Sequence, residues 1–92
     1  MKKAAKSTFD LAVIRLVKAY RVAHDLTQDD LAEILDVSRG YIGQIESPSS
    51  RSKYNLNQLN RLAYEWKCSP RIFLPEKGSE EKTPTGRKKP RK

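Results

Sequence analysis

The 92-residue chain has a single cysteine, Cys68, and a single histidine, His24. One cysteine excludes an internal disulfide, and with one histidine there is no Cys/His set at metal-ligand spacing. Neither residue has a paired acid or a phosphate-binding loop beside it, so an enzyme is the least expected class, and no cofactor or metal is expected. His24 is accounted for by the favourable position of a basic group at a helix C-terminus, and Cys68 by burial as a small apolar side chain. Long hydrophobic runs are also missing, and no segment approaches the roughly 20 residues that a membrane-spanning helix needs. The first residues, Met1 to Lys6, have the charge of a secretory leader, but Asp10, Arg15 and Lys18 interrupt what would be its apolar stretch. A reducing cytoplasm fits these absences. Acidic residues are scarce: 11 Asp and Glu stand against 19 Lys and Arg, a formal charge of +8. That balance favours a polyanionic partner.

The excess charge is uneven. Residues 1–76 carry 12 basic and 9 acidic side chains, whereas residues 77–92 carry 7 and 2. The latter segment has no apolar residue larger than proline and cannot bury a core. The chain therefore divides into a flexible basic N-terminus (1–7), one small domain (8–76) and a disordered basic tail (77–92). The Arg87–Lys92 cluster reads either as a solvated solubility segment or as a second, nonspecific contact to a polyanion. Lys2, Lys3 and Lys6 at the other end are open to the same two readings.

Within the domain, Phe9, Val13, Leu16, Tyr20 and Ala23 recur at helical spacing, widened by Ile14 and Val17, and predict a first helix from about Thr8 to His24. Thr27 caps a second helix with Asp30 as its capping-box partner, and Leu31, Ala32 and Leu35 share one face. Asp36 and Val37 form a turn. Ser38 then caps a third helix whose Ile42 and Ile45 face inward, which leaves Arg39, Gly40, Gly43 and Gln44 outward. Two short helices joined in this way form a helix-turn-helix, whose outward residues enter the DNA major groove. After the break at Ser47-Pro48-Ser49-Ser50, Asn55 caps a fourth helix with Gln58 as capping-box partner and a Tyr54–Leu59 staple. Its apolar face comprises Leu56, Leu59, Leu62, Ala63 and Trp66. A fifth, short helix starts at Ser69-Pro70 and carries Ile72, Phe73 and Leu74 inward or to a partner. The expected fold is an all-α, compact five-helix domain.

The run Thr27-Gln28-x-x-Leu31-Ala32, followed by Val37-Ser38-Arg39-x-Tyr41-Ile42-x-Gln44-Ile45-Glu46, resembles the lambda-repressor/Cro-like, XRE-type DNA-binding domain. The likeness extends from about Phe9 to Pro75 and takes in Leu62-Ala63 and Cys68-Ser69-Pro70. It implies a left-handed residue at Asp25, where many relatives have glycine, and a small residue at Gly43. It also implies an ion pair between Arg21 and Glu46 that fixes the angle of the third helix; otherwise these are two solvated charges. Gln28 matches a family position that donates to a phosphate oxygen.

The chemistry of the remaining candidates is direct. Arg39 has a planar fork suited to guanine, and Gln44 can both donate to and accept from adenine. Thr27 and Ser38 sit at helix N-termini that can meet phosphates, and Arg51 and Lys53 are expected on the same backbone. Tyr41 either packs against the adjoining turn or offers its hydroxyl to a phosphate. Gly40 and Gly43 each weaken a helix by about 1 kcal/mol relative to alanine. They either let the backbone approach the groove or signal sparse readout assisted by DNA shape.

The leading expectation is a sequence-preferring regulator of transcription, a repressor that binds double-stranded DNA as a homodimer. Apolar residues around Trp66, Ile72, Phe73 and Leu74 are the candidate dimer face, with core packing as the alternative, favoured for Trp66. A rival class is a protein-interaction module such as the antitoxin of a toxin–antitoxin pair. The tail lacks the large apolar residues with which such a partner would be wrapped.

Overall fold

Side-chain caps set the helix boundaries in the computed structural model, which describes residues 6–81. Ser7 accepts from the Asp10 amide and Asp10 accepts from that of Ser7, which opens α1 (Thr8–Ala23). Thr27 and Asp30 reciprocate in the same way at the start of α2 (Gln28–Leu35), as do Asn55 and Gln58 at α4 (Leu56–Trp66). Ser38 caps α3 (Arg39–Glu46) through the Tyr41 amide. Three turns are closed by non-glycine residues in the left-handed region: Asp25 (φ 57°), Asp36 (φ 58°) and Lys67 (φ 55°). For an aspartate this conformation is tolerable because its short polar side chain can bond locally.

The fifth element corrects the expectation of a five-helix domain. Pro70–Phe73 is a single 3-10 turn, not an α-helix. Only four residues separate the Ser69 cap from Leu74, and the tighter i to i+3 bonds, Ile72 N–H to Ser69 and Leu74 N–H to Arg71, use that length fully. The described residues thus form four α-helices and this turn, with no strand.

Every element contributes to one core. Val13, Ile14 and Val17 come from α1, Leu31 and Ala32 from α2, Ile42 and Ile45 from α3, Leu59, Leu62 and Ala63 from α4 and Phe73 from the 3-10 turn, with Tyr54 from the connection before α4. An aromatic cluster closes one side: Tyr20 stacks on Trp66 with centroids 4.7 Å apart and on His24 at 4.0 Å. Phe73 meets Tyr20 and Trp66 edge-on. Trp66 and Phe73 are therefore packed against the domain, and Phe73, at 0 % exposure, is removed from the candidate dimer face. Ile72 and Leu74 stay exposed. Leu56 also departs from expectation. Although it has the spacing of the α4 stripe, it is 77 % exposed, because at the first helical position its side chain leans N-terminally off the packed face. Ala23, at the other end of the α1 stripe, is exposed as well.

Candidate nucleic-acid interface

Two fully buried side chains, Ile42 and Ile45, fix the roll of α3 about its own axis. With these two against the core, Arg39, Gly40 and Gln44 are exposed, while Tyr41 and Gly43 are half-buried. The helix is short, eight residues, so its orientation depends on what grips its ends. At the C-terminal end the grip is ionic. Arg21 Nε donates to Glu46 Oε2 at 3.0 Å, and Nη2 donates to Oε1 at 2.9 Å, a bidentate pair. The third arm of the fork, Nη1, donates to the Leu26 carbonyl at 2.9 Å and so ties α1, the α1–α2 turn and α3 together.

Gln28 completes this cluster. Its Nε2 donates to Glu46 Oε1 at 3.0 Å, so the side chain expected to meet a phosphate is turned toward α3. Burial alone would raise the Glu46 carboxyl pKa. The hydrogen bonds from Arg21 and Gln28 and the charges of Arg21 and Lys18 together outweigh burial and hold it below the ordinary carboxylate value. Gln28 also explains the half-buried Gly43, because a Cβ there would meet Gln28 Oε1 at 3.8 Å. That is ordinary contact, so alanine fits but a larger side chain would press on the glutamine.

The other candidates are distributed along the same edge. Arg39 lies 3.8 Å from the Asp29 carboxylate, with both side chains mostly in solvent, an arrangement of little strength. The side-chain Oε1 of Gln44 accepts from the Ser50 hydroxyl at 3.3 Å, and its Nε2 donates to nothing among the described residues. Thr27 and Ser38 spend their oxygen lone pairs on helix caps. Tyr41 packs against the core edge, which favours the packing reading of its ring. Arg51 is exposed, whereas Lys53 Nζ pairs with Asp10 at 3.3 Å, drawn toward the start of α1. Arg39, Gln44, Thr27, Gln28 and Ser38 are thus brought to the α2–α3 unit, and Lys53 is held against another element.

Two residues assigned to the basic termini behave otherwise. Lys6, placed in a flexible N-terminus, is 5 % exposed and bonded to carbonyls at the end of α3. Glu81, placed in the tail, accepts from the Thr8 amide at 2.8 Å and the Phe9 amide at 3.0 Å. It takes two of the amides left unpaired at the start of α1, where the helix dipole favours an anion. Lys2, Lys3 and the Arg87–Lys92 cluster lie outside the described residues. Ser7 could have been found from its own spacing to Asp10, a capping-box signature. No local pattern announces Lys6 or Glu81.

A helix-turn-helix family model matches residues 17–50, from the second half of α1 to the loop after α3. No curated protein and no solved structure matched the chain in the corresponding searches. No helix among the described residues is long and apolar enough to cross a membrane.

Proposed function

We propose that the protein is a double-stranded-DNA-binding regulator of transcription that places α3 in the major groove, a reading supported by the helix-turn-helix family model that matches residues 17–50 and by the resemblance of that segment to lambda-repressor/Cro-like, XRE-type domains. The observation that carries this reading is the two-faced third helix. Ile42 and Ile45 are wholly buried, Arg39 and Gln44 are exposed on the other side, and Glu46 is locked to Arg21 and Gln28. In that pose Arg39 reads guanine and Gln44 reads adenine. Both side chains reach their bases by giving up weak partners, Asp29 and Ser50 respectively. The N-termini of α2 and α3, opened by Thr27 and Ser38, present backbone amides to phosphates. Gln28 keeps one amide hydrogen beyond the one given to Glu46 and adds it to the same backbone. Tyr41 and Arg51 flank this set. Lys53 gives one of its three donors to Asp10 and keeps the others for a phosphate. Gly40 and Gly43 leave the helix face open for close approach.

The mode of action we infer is operator occupancy, that is repression, by a homodimer. Two-fold pairing would set two α3 helices about one DNA turn apart and multiply two weak contacts. Exposed Ile72 and Leu74, in and just after the 3-10 turn, support a contact between copies there. Exposed Leu56 and Tyr64 on α4 leave an apolar surface for a protein partner, as an antitoxin would use.

The test is a selection from random duplexes at near-physiological salt, run with the wild-type protein and an Arg39→Ala/Gln44→Ala variant. Enrichment of a palindrome by the wild type alone is the expected outcome. No enrichment by either protein would demote Arg39 and Gln44 and favour the protein-interaction reading.

A further inference from the structure

Helix α3 ends without a left-handed cap: the Ser47 amide donates to the Gln44 carbonyl at 3.2 Å to tighten the last turn, and Pro48 stops the helix. Its C-cap residue, Ser47, is extended (φ −86°, ψ 125°), no glycine follows, and the last turn contains no basic side chain of its own. The carbonyls exposed by that ending are taken by a residue from the far side of the sequence. Lys6 Nζ donates to the Ile45 carbonyl at 2.6 Å, to that of Ser47 at 2.6 Å and to that of Gln44 at 3.3 Å. An ammonium has three donors and no acceptor, so these bonds use its full capacity. The side chain is withdrawn from solvent, at 5 % exposure. Its positive charge sits at the negative end of the α3 dipole.

The geometry points to Lys6 as a positioning residue for DNA recognition, one that holds the C-terminal end of α3 through its backbone and never touches the nucleic acid. This rests on the DNA-binding reading above and deepens it. Arg21 grips the same end through the Glu46 side chain, and Lys6 grips it through main-chain oxygens. Together these bonds oppose lifting or rotation of that end, and the Gln44 side chain leaves a backbone held at its own carbonyl. Lys6 also links the polypeptide before α1 to α3, across 38 to 41 residues of sequence. A phosphate contact would demand an exposed ammonium with a donor to spare, and Lys6 has neither. Burial, against the pull of Asp10, pushes its pKa below the ordinary lysine value, as expected of a cation taken from water.

The two roles separate in the salt dependence of binding. Removing a phosphate contact lowers the slope of log K against log salt by about 0.9, whereas removing a positioning residue leaves the slope unchanged. Lys6→Met, on the full chain and checked for native helicity, is expected to bind the wild-type-selected duplex roughly ten-fold more weakly, the scale of one mismatched base pair. The slope and the affinity for unrelated duplex should be those of the wild type. Lys6→Arg, whose planar fork cannot reproduce the three-way geometry, should show a smaller loss with the same slope. If Lys6→Met does not fold at the assay temperature, Lys6→Arg is scored by these criteria. A reduced slope would overturn the proposal in favour of direct contact, and undiminished specific affinity would overturn it in favour of local packing. A wild-type protein with no duplex preference would defeat the functional reading itself, an outcome distinguishable from either.

Discussion

At the scale of residues, the structure depends on a few long-range polar bonds whose loss should be felt unequally. Arg21 and Glu46 are 13 % and 5 % exposed at their side chains, so removing one partner strands a charge in a place water barely reaches. Arg21→Met is expected to cost about 3 kcal/mol in urea denaturation, while Arg21→Met/Glu46→Leu should recover most of it, since a buried pair adds little beyond a well-packed apolar replacement. The same carboxylate predicts an acid response. Its folded pKa lies below the ordinary value, so the stability it contributes is complete above the unfolded-state pKa and is lost as pH falls through the lower, folded value. Glu46→Gln should flatten that part of the stability–pH profile between pH of about 5 and the acid limb; an unchanged profile would assign the acid response to Asp10, whose Ser7 and Lys53 partners likewise outweigh burial and hold its pKa low.

At the scale of elements, most of the architecture could be read from local chemistry. The Thr27/Asp30 and Asn55/Gln58 pairs opened α2 and α4 at the expected residues, and Asp25 took the left-handed conformation. The conformation of Asp25 was implied by the family resemblance, whereas the two capping boxes depend on side chains bonding to amides three residues away, which sequence spacing encodes directly. The interior of α3 was legible for the same reason, since Ile42 and Ile45 three apart could only face one way. The failures are those of long range. Lys6 and Glu81 bond across 38 and more residues, and Leu56 obeys the helical period while lying off the core. Whether Pro70–Phe73 would be α or 3-10 depended on the length available before the chain turned, which periodicity does not measure. The glycines of α3 carry a prediction at this scale. A Cβ at Gly40 would meet nothing nearer than 3.9 Å, and one at Gly43 nothing nearer than 3.8 Å. Gly40→Ala and Gly43→Ala should therefore each stabilise the fold by about 1 kcal/mol in thermal or urea unfolding. If the glycines serve close approach to the groove, the same variants bind DNA more weakly despite their added stability.

For the whole molecule, charge and shape divide the work. In the proposed reading the domain supplies the edge that meets DNA, while much of the positive excess lies at residues 77–92, seven basic side chains against two acidic. Glu81 anchors the near end of that segment to the start of α1, two residues after the Lys6 that holds the end of α3. Any contact made by the basic cluster beyond it would begin from that point. Deleting residues 82–92 is expected to leave the melting temperature and the preferred duplex sequence unchanged. Affinity should fall, and the salt slope should drop by about 0.9 for each phosphate that the tail had neutralised. A change in the preferred sequence would mean that the tail reads bases.

If the edge built from the α2 N-terminus and the outer face of α3 meets DNA, the amide chemical shifts of the full chain titrated with its selected duplex will report it there. The largest changes are expected at Thr27–Gln28 and Ser38–Gln44, with exposed α4 residues such as Leu56 and Tyr64 nearly still. Largest changes on α4 or the 3-10 turn, with α3 unmoved, would contradict DNA contact at that edge.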